Sequence, residues 1–184
     1  IEAGHSVYDR IAGDYNFPML AANAIRTATG KPYFKPYVII ERNRIKIAVL
    51  GLITPSVPTW LPPELYSGIE FRDMLETAQE YMPVIQKEKP DLIVGLFHSG
   101  WNDNPEFYKE VQSMDENGSP SVVYNVPGFD IVFTGHDHRL ANQKFVNVSG
   151  DTVLILNGGS RSENVAVAEV IMKKGGKRIS GKIL

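Results

Sequence analysis

Two short apolar runs constrain this chain more than anything else in it. One is Asp91-Leu-Ile-Val-Gly-Leu-Phe97, followed at once by His98-Ser-Gly100. The other is Asp130-Ile-Val-Phe-Thr134, followed by Gly135-His136-Asp137-His138. Each is bounded by turn residues, has almost no polar interior and is too short for a buried helix. They read as strands buried on both faces, the habit of parallel sheets under helices. Each delivers histidine at its carboxyl end, where ligands and catalytic groups collect in open α/β sheets.

The remaining elements fit an α/β plan. Residues 74–89 predict the clearest helix: Met74, Leu75, Ala78, Met82 and Ile85 form one apolar stripe with Phe71. Asp73 and Glu76 have capping-box spacing, and Pro90 follows. With the strand at 91–97 this makes a strand-helix-strand crossover after the strand at 45–53. Residues 37–41 and 45–53 predict a hairpin over a two-residue turn. Val7, Tyr8, Ile11 and Ala12 predict a first helix stopped by Gly13, and residues 17–20 a short strand, with 21–24 leaving the sheet. Four prolines between Thr54 and Gly68 predict a stiff loop. Residues 101–114 begin polar and become a short helix through Phe107, Val111 and Met114. Residues 122–126 form one helical turn, and strands follow at 144–148, 152–157, 165–172 and 178–184.

Composition narrows the function. The chain has 184 residues, 43% of them hydrophobic, enough for one cored domain or part of a larger one. The net charge of -2 gives no basic surplus for binding a nucleic-acid duplex. With no cysteine, disulfides and thiolate metal sites are excluded. No apolar run reaches membrane-spanning length.

His98, His136 and His138 are the candidate metal ligands. Residues two apart on an extended strand point to opposite sides, so His136 and His138 share a centre only if the chain turns, which Gly135 permits. Spacing alone leaves a shared metal site and a hydrogen-bonded structural role level. Neutral imidazoles suit zinc, manganese or iron better than calcium. Asp137 can ligate, support a ligand or simply be solvated. A two-metal hydrolytic centre needs a bridging carboxylate, and no Asp or Glu stands at a strand end for that role. Glu116-Asn117 reads as an ordinary turn. The loop Asn157-Gly-Gly-Ser-Arg-Ser162 reads as a plain loop, although its backbone and Arg161 can approach a phosphate. Ser99 has no triad partners.

The motifs His98-Ser-Gly100 and Gly135-His-Asp-His138 resemble the last two metal-binding motifs of calcineurin-like metallophosphoesterases. The branch holding 5'-nucleotidases and 2',3'-cyclic-nucleotide phosphodiesterases is the nearest. Further matches run in family order: Asn16-Phe-Pro-Met-Leu20, Ala22-Asn-Ala24, Gly30-Lys-Pro-Tyr-Phe-Lys-Pro-Tyr37, Lys46-Ile-Ala-Val-Leu-Gly-Leu-Ile-Thr-Pro55, Phe71-Arg-Asp73, Glu116-Asn117 and Val126-Pro-Gly-Phe-Asp130.

The resemblance implies an α/β fold, part of a four-layer αββα sandwich with mixed β-sheets. It implies two divalent metal ions, with zinc, manganese, iron, magnesium and calcium not distinguished. His98 and His136 would bind one ion and His138 the other. The ions would activate water against nucleotides or other phosphate esters. Family members are typically exported, to the periplasm or outside the cell. The family's Asp-x-His motif, its bridging Asp and its Asn-His-Glu motif do not occur here, nor does its carboxyl-terminal nucleotide-binding domain. Residues 1–184 are therefore expected to be the C-terminal portion of a catalytic domain, inactive alone, with no catalytic residue assigned and substrate contacts unassigned. Exposed half-domain faces are expected to drive self-association. The alternatives are a non-catalytic three-histidine metal-binding or interaction module, and a domain whose histidines only satisfy hydrogen bonds.

Overall fold

The computed structural model describes residues 1–110 and 114–184. The expected helix through Val111 therefore lies partly outside the described residues. What is seen of it is α4 (Pro105–Lys109), capped by Asn104, whose side chain accepts from the Glu106 amide.

The first helix, α1 (His5–Asp14), runs one residue past Gly13 and buries Tyr8. The strand expected at 17–20 is reduced to a single bridge between Leu20 and Lys35. The strand lies instead at β1 (Ala24–Arg26), antiparallel to β4 (Ile69–Phe71). Asn23 explains the shift. Its buried side chain donates to the carbonyls of Ile53 (2.7 Å) and Arg72 (2.9 Å) and accepts from the Ile53 amide (2.9 Å). Ala22 donates to the Gly51 carbonyl at 2.8 Å. Residues 21–24 are thus sewn onto the sheet rather than leaving it. A side chain at Gly51 would overlap Leu20, so this close approach requires glycine.

The hairpin of β2 (Tyr37–Arg42) and β3 (Ile45–Ile53) forms as expected. Asn43 and Arg44 make its turn at φ 52° and 65°, the left-handed pair of a tight hairpin. The stiff loop at 54–68 holds one helical turn, α2 (Val57–Trp60), and a 3₁₀ turn, Pro63–Leu65. α3 (Met74–Lys87) starts where the cap predicts, with Asp73 accepting from the Glu76 amide at 2.8 Å. It ends before Pro90, because Lys89 has φ 52°.

β5 (Leu92–His98) lies parallel to β3, which completes the crossover. α5 (Ser119–Asn125) begins earlier than the expected turn at 122. β6 (Ile131–Phe133), β7 (Leu140–Val146) and β8 (Thr152–Gly158) finish a six-stranded sheet in the order β2-β3-β5-β6-β8-β7. Its four inner strands are parallel and its two edges antiparallel. β9 (Ala166–Lys173) and β10 (Gly176–Ile183) form a separate two-stranded sheet.

Packing makes three layers. On one face Leu50, Leu52, Ile93 and Val132 meet α3 and α5 through Met74, Ile85 and Val122. On the other, Leu92, Val94, Ile131 and Leu156 meet the β9–β10 hairpin through Ala168, Val170 and Ile179. At the amino end of the sheet Lys177 reaches Asp130 Oδ2 (2.7 Å) and the Asp91 carbonyl (2.9 Å), pinning the hairpin. This mixed α/β architecture agrees with the fold class read from the sequence. Leu50 is fully buried in the helical-face core, so Leu50→Ala is expected to cost about 2–5 kcal/mol, read from urea unfolding curves.

Candidate functional site

β5 and β6 are parallel neighbours with Leu96 beside Phe133. Their carboxyl ends therefore emerge together, and His98 closes β5 beside the segment after β6. The chain does turn between the two later histidines. The turn is made by the histidines themselves, at φ 75° for His136 and 58° for His138, and not by Gly135, which does not take a positive φ. This corrects the expectation. Nor does space demand glycine there, since a methyl group at Gly135 would lie 3.7 Å from His98 Nδ1, an ordinary contact.

Left-handed backbone at a non-glycine residue persists only where its surroundings hold it. Asp137 supplies that hold. Its Oδ2 accepts from the Trp101 amide at 3.0 Å, and its Oδ1 accepts from Asn157 Nδ2 at 2.9 Å and the Arg139 amide at 3.2 Å. Of its three sequence readings, simple solvation is the one these bonds do not describe. Asn157 in turn accepts from the Gly159 amide at 2.9 Å and shapes the loop beyond β8.

His98 and His136 meet edge to face, with ring centroids 5.4 Å apart. Desolvation of its ring lowers the His98 pKa, as does the neighbouring His136. Both favour the neutral imidazole, the form that binds metals. His138 lines a cavity of about 760 Å³ with His98 and His136, and the loop bearing Gly159, Arg161 and Glu163 lines it too. The structure therefore brings all three predicted histidines to one cavity, together with the loop the sequence left as plain.

Two neighbours of His136 were missed. The Trp60 ring stacks on it at 4.8 Å and 20°. Glu116 places Oε2 at 3.4 Å from Nε2. Only the order of Glu116-Asn117 after the His98 motif hinted at this. A side chain at Gly100 would overlap Asn117 and Asp137, so the glycine of the His-Ser-Gly motif makes room for that turn. Ser99 is buried and donates to the Glu116 carbonyl at 2.8 Å.

Imidazole donors suit zinc, manganese or iron, yet the donor set is short. Among the described residues no three of His, Asp or Glu converge tightly enough to hold an ion. These residues fit one side of a metal centre and do not complete one. Among the described residues, too, no helix is long and apolar enough to cross a membrane.

The architecture is that of a calcineurin-like phosphoesterase. It superposes on 98% of this chain and 59% of the Bacillus subtilis calcineurin-like phosphoesterase YfkN, with a TM-score of 0.80 at 23% identity. No family model matches. The chain is 34% identical over 137 residues to a 2',3'-cyclic-nucleotide 2'-phosphodiesterase/3'-nucleotidase of Haemophilus influenzae, covering 70% of the chain and 20% of that protein. It is 39% identical over 127 residues to a 5'-nucleotidase of Vibrio cholerae, covering 67% of the chain and 22% of that protein. The chain belongs to this family of 5'-nucleotidases and 2',3'-cyclic-nucleotide phosphodiesterases. It spans about a fifth of the length of these two relatives.

Asp137→Ala would leave the buried Trp101 amide and Asn157 side chain short of an acceptor. It is expected to lose about 1–3 kcal/mol in chemical denaturation. Asp137→Asn, which keeps one acceptor oxygen, should lose less.

Proposed function

We propose that this chain is the C-terminal portion of the catalytic domain of a metal-dependent phosphoesterase acting on nucleotides or cyclic nucleotides. The observation that carries the reading is the gathering of His98, His136 and His138 on one cavity at parallel strand ends, in a chain whose relatives are nucleotidases and phosphodiesterases.

His98, His136 and His138 would hold divalent ions as neutral imidazoles, with the ligating carboxylates supplied from outside residues 1–184. When bound, such ions polarise a phosphoryl group and lower the pKa of a water. The chain's own residues bind and orient. Asp137 fixes the backbone between two of the histidines, and burial lowers the His98 pKa, which favours its neutral ring. Arg161, which lines the same cavity, offers a cation to a phosphate. A periplasmic or extracellular home follows from the same resemblance. The three-histidine module has less support, because no three donors converge among the described residues. Stoichiometric zinc uptake by the chain alone in calorimetry would favour it instead.

With manganese and a chromogenic phosphodiester, the isolated chain should turn over no faster than its His136→Ala variant. Robust turnover abolished by that substitution would sink the view that the chain alone is inactive.

We also propose that the chain self-associates. The row Leu92, Val94, Leu96 on β5 runs out from under the β9–β10 hairpin, and Leu96 is 49% exposed. Beside it an apolar cavity of about 490 Å³ is lined by Phe17, Met19, Phe34, Leu96 and Phe133, with Phe17 57% exposed. Sedimentation velocity should show larger species growing with concentration and reduced in Leu96→Lys. A clean monomer at high concentration would count against the proposal.

A further inference from the structure

His136 is held more closely than a ligand on a loop needs to be, and by residues from two distant loops. Trp60 lies against its face, His98 against its edge, and the Glu116 carboxylate against Nε2. Its side chain keeps 20% exposure. We infer that Trp60 and Glu116 are positioning residues for His136: the tryptophan fixes the plane of the ring, and the carboxylate holds the proton on Nε2. The inference rests on the reading of His136 as a site residue. It assigns work to two side chains that the motif histidines do not include.

The carboxylate argument is chemical. A carboxylate accepts, so a bond to Nε2 requires N–H there, and in the neutral ring that leaves the lone pair on Nδ1. The partner of one ring nitrogen decides what the other can do. The Glu116 backbone is anchored where it matters. Its carbonyl accepts from the Gly100 amide at 2.9 Å and from Ser99 Oγ at 2.8 Å, and Ser119 Oγ donates back to the Ser99 carbonyl at 2.9 Å. The segment that carries His98 is therefore stitched to the segment that orients His136.

The Trp60 side is anchored too. Trp60 ends α2 inside the proline-rich loop, and the Leu61 amide closes that turn on the Val57 carbonyl at 3.1 Å. Ser56 Oγ donates to the Met114 carbonyl at 3.1 Å, which ties the tryptophan loop to the one bearing Glu116. Two loops bonded to each other grip one imidazole from its face and its Nε2 edge. Simple packing of an exposed tryptophan would explain the stack but not the carboxylate on the nitrogen.

The test is nitrogen-15 and proton NMR of the metal-free 184-residue chain, with His136 assigned by its loss in His136→Gln. The expected spectrum has His136 as the Nε2–H tautomer, its Nε2 proton visible against exchange with water, and its carbon-bound ring protons shifted upfield by Trp60. Glu116→Ala should lose the Nε2 proton signal, Glu116→Gln should retain it through its carbonyl oxygen, and Trp60→Leu should remove the upfield shift. An Nδ1–H tautomer in the wild-type chain overturns the inference. So do ring signals unchanged in both Glu116→Ala and Trp60→Leu. If Glu116→Ala fails to fold by circular dichroism, the wild-type tautomer and Trp60→Leu decide it. Because the readout is not turnover, failure of the phosphoesterase reading leaves this result standing, and failure here leaves that reading standing.

Discussion

The candidate site depends on the carboxylate of Asp137. It lies between two histidines in left-handed backbone, a conformation that costs roughly 1–2 kcal/mol at each non-glycine residue. It bonds the chain after β5 at Trp101, the end of β8 at Asn157, and its own loop at Arg139. One side chain thus ties together the strand-end segments that line the cavity. Both histidines line the cavity, and the Asp137 carboxylate holds the turn between them.

That brace works only because the sheet brings its partners within reach. β5, β6 and β8 are consecutive parallel neighbours, so everything after their carboxyl ends falls along one edge. The burial of both sheet faces keeps these strands in register, since a slip of one residue would move Ile93 and Val94 to the wrong layers. At the opposite end the Asp130 carboxylate performs a similar service, accepting from the Ile93 amide at 2.9 Å and from Lys177 at 2.7 Å. The strand that delivers the histidine pair is therefore fixed at both ends by an aspartate.

What was legible in the sequence was local or periodic. The hairpin, the capped helix at Met74 and the histidine-bearing strands follow from patterns a few residues long. What was missed depends on partners far along the chain. Asn23 draws residues 21–24 onto the sheet through Ile53 and Arg72, and no window around Asn23 contains either. Glu116 reads as a turn residue because its sequence neighbours are turn residues. Its place beside His136 is set by backbone bonds to Ser99 and Gly100. The turn at 135–138 was anticipated but assigned to glycine on general preference, when a hydrogen-bonded aspartate was holding two histidines in the unfavourable region. The wall formed by Gly159 and Arg161 follows from β8 pairing with β6, which short apolar runs do not specify.

The use of carboxylates also bears on the proposed chemistry. Asp130 and Asp137 are engaged in bracing, and Glu116 faces an imidazole nitrogen rather than a group of donors. The histidines lining the cavity can act as neutral donors, and His98 is held toward that state. Two divalent ions facing neutral imidazoles would bring four positive charges, and a partly enclosed charge without compensation is strongly unfavourable; of the carboxylates on this chain, Glu163 lines the same cavity. On the proposed reading, the bridging carboxylate comes from outside residues 1–184, because no described carboxylate joins two of the histidines in a metal-holding group. On that reading the described residues contribute orientation and neutral donors, the part of a two-ion centre that strand ends and a rigid aspartate can supply without a metal to organise them.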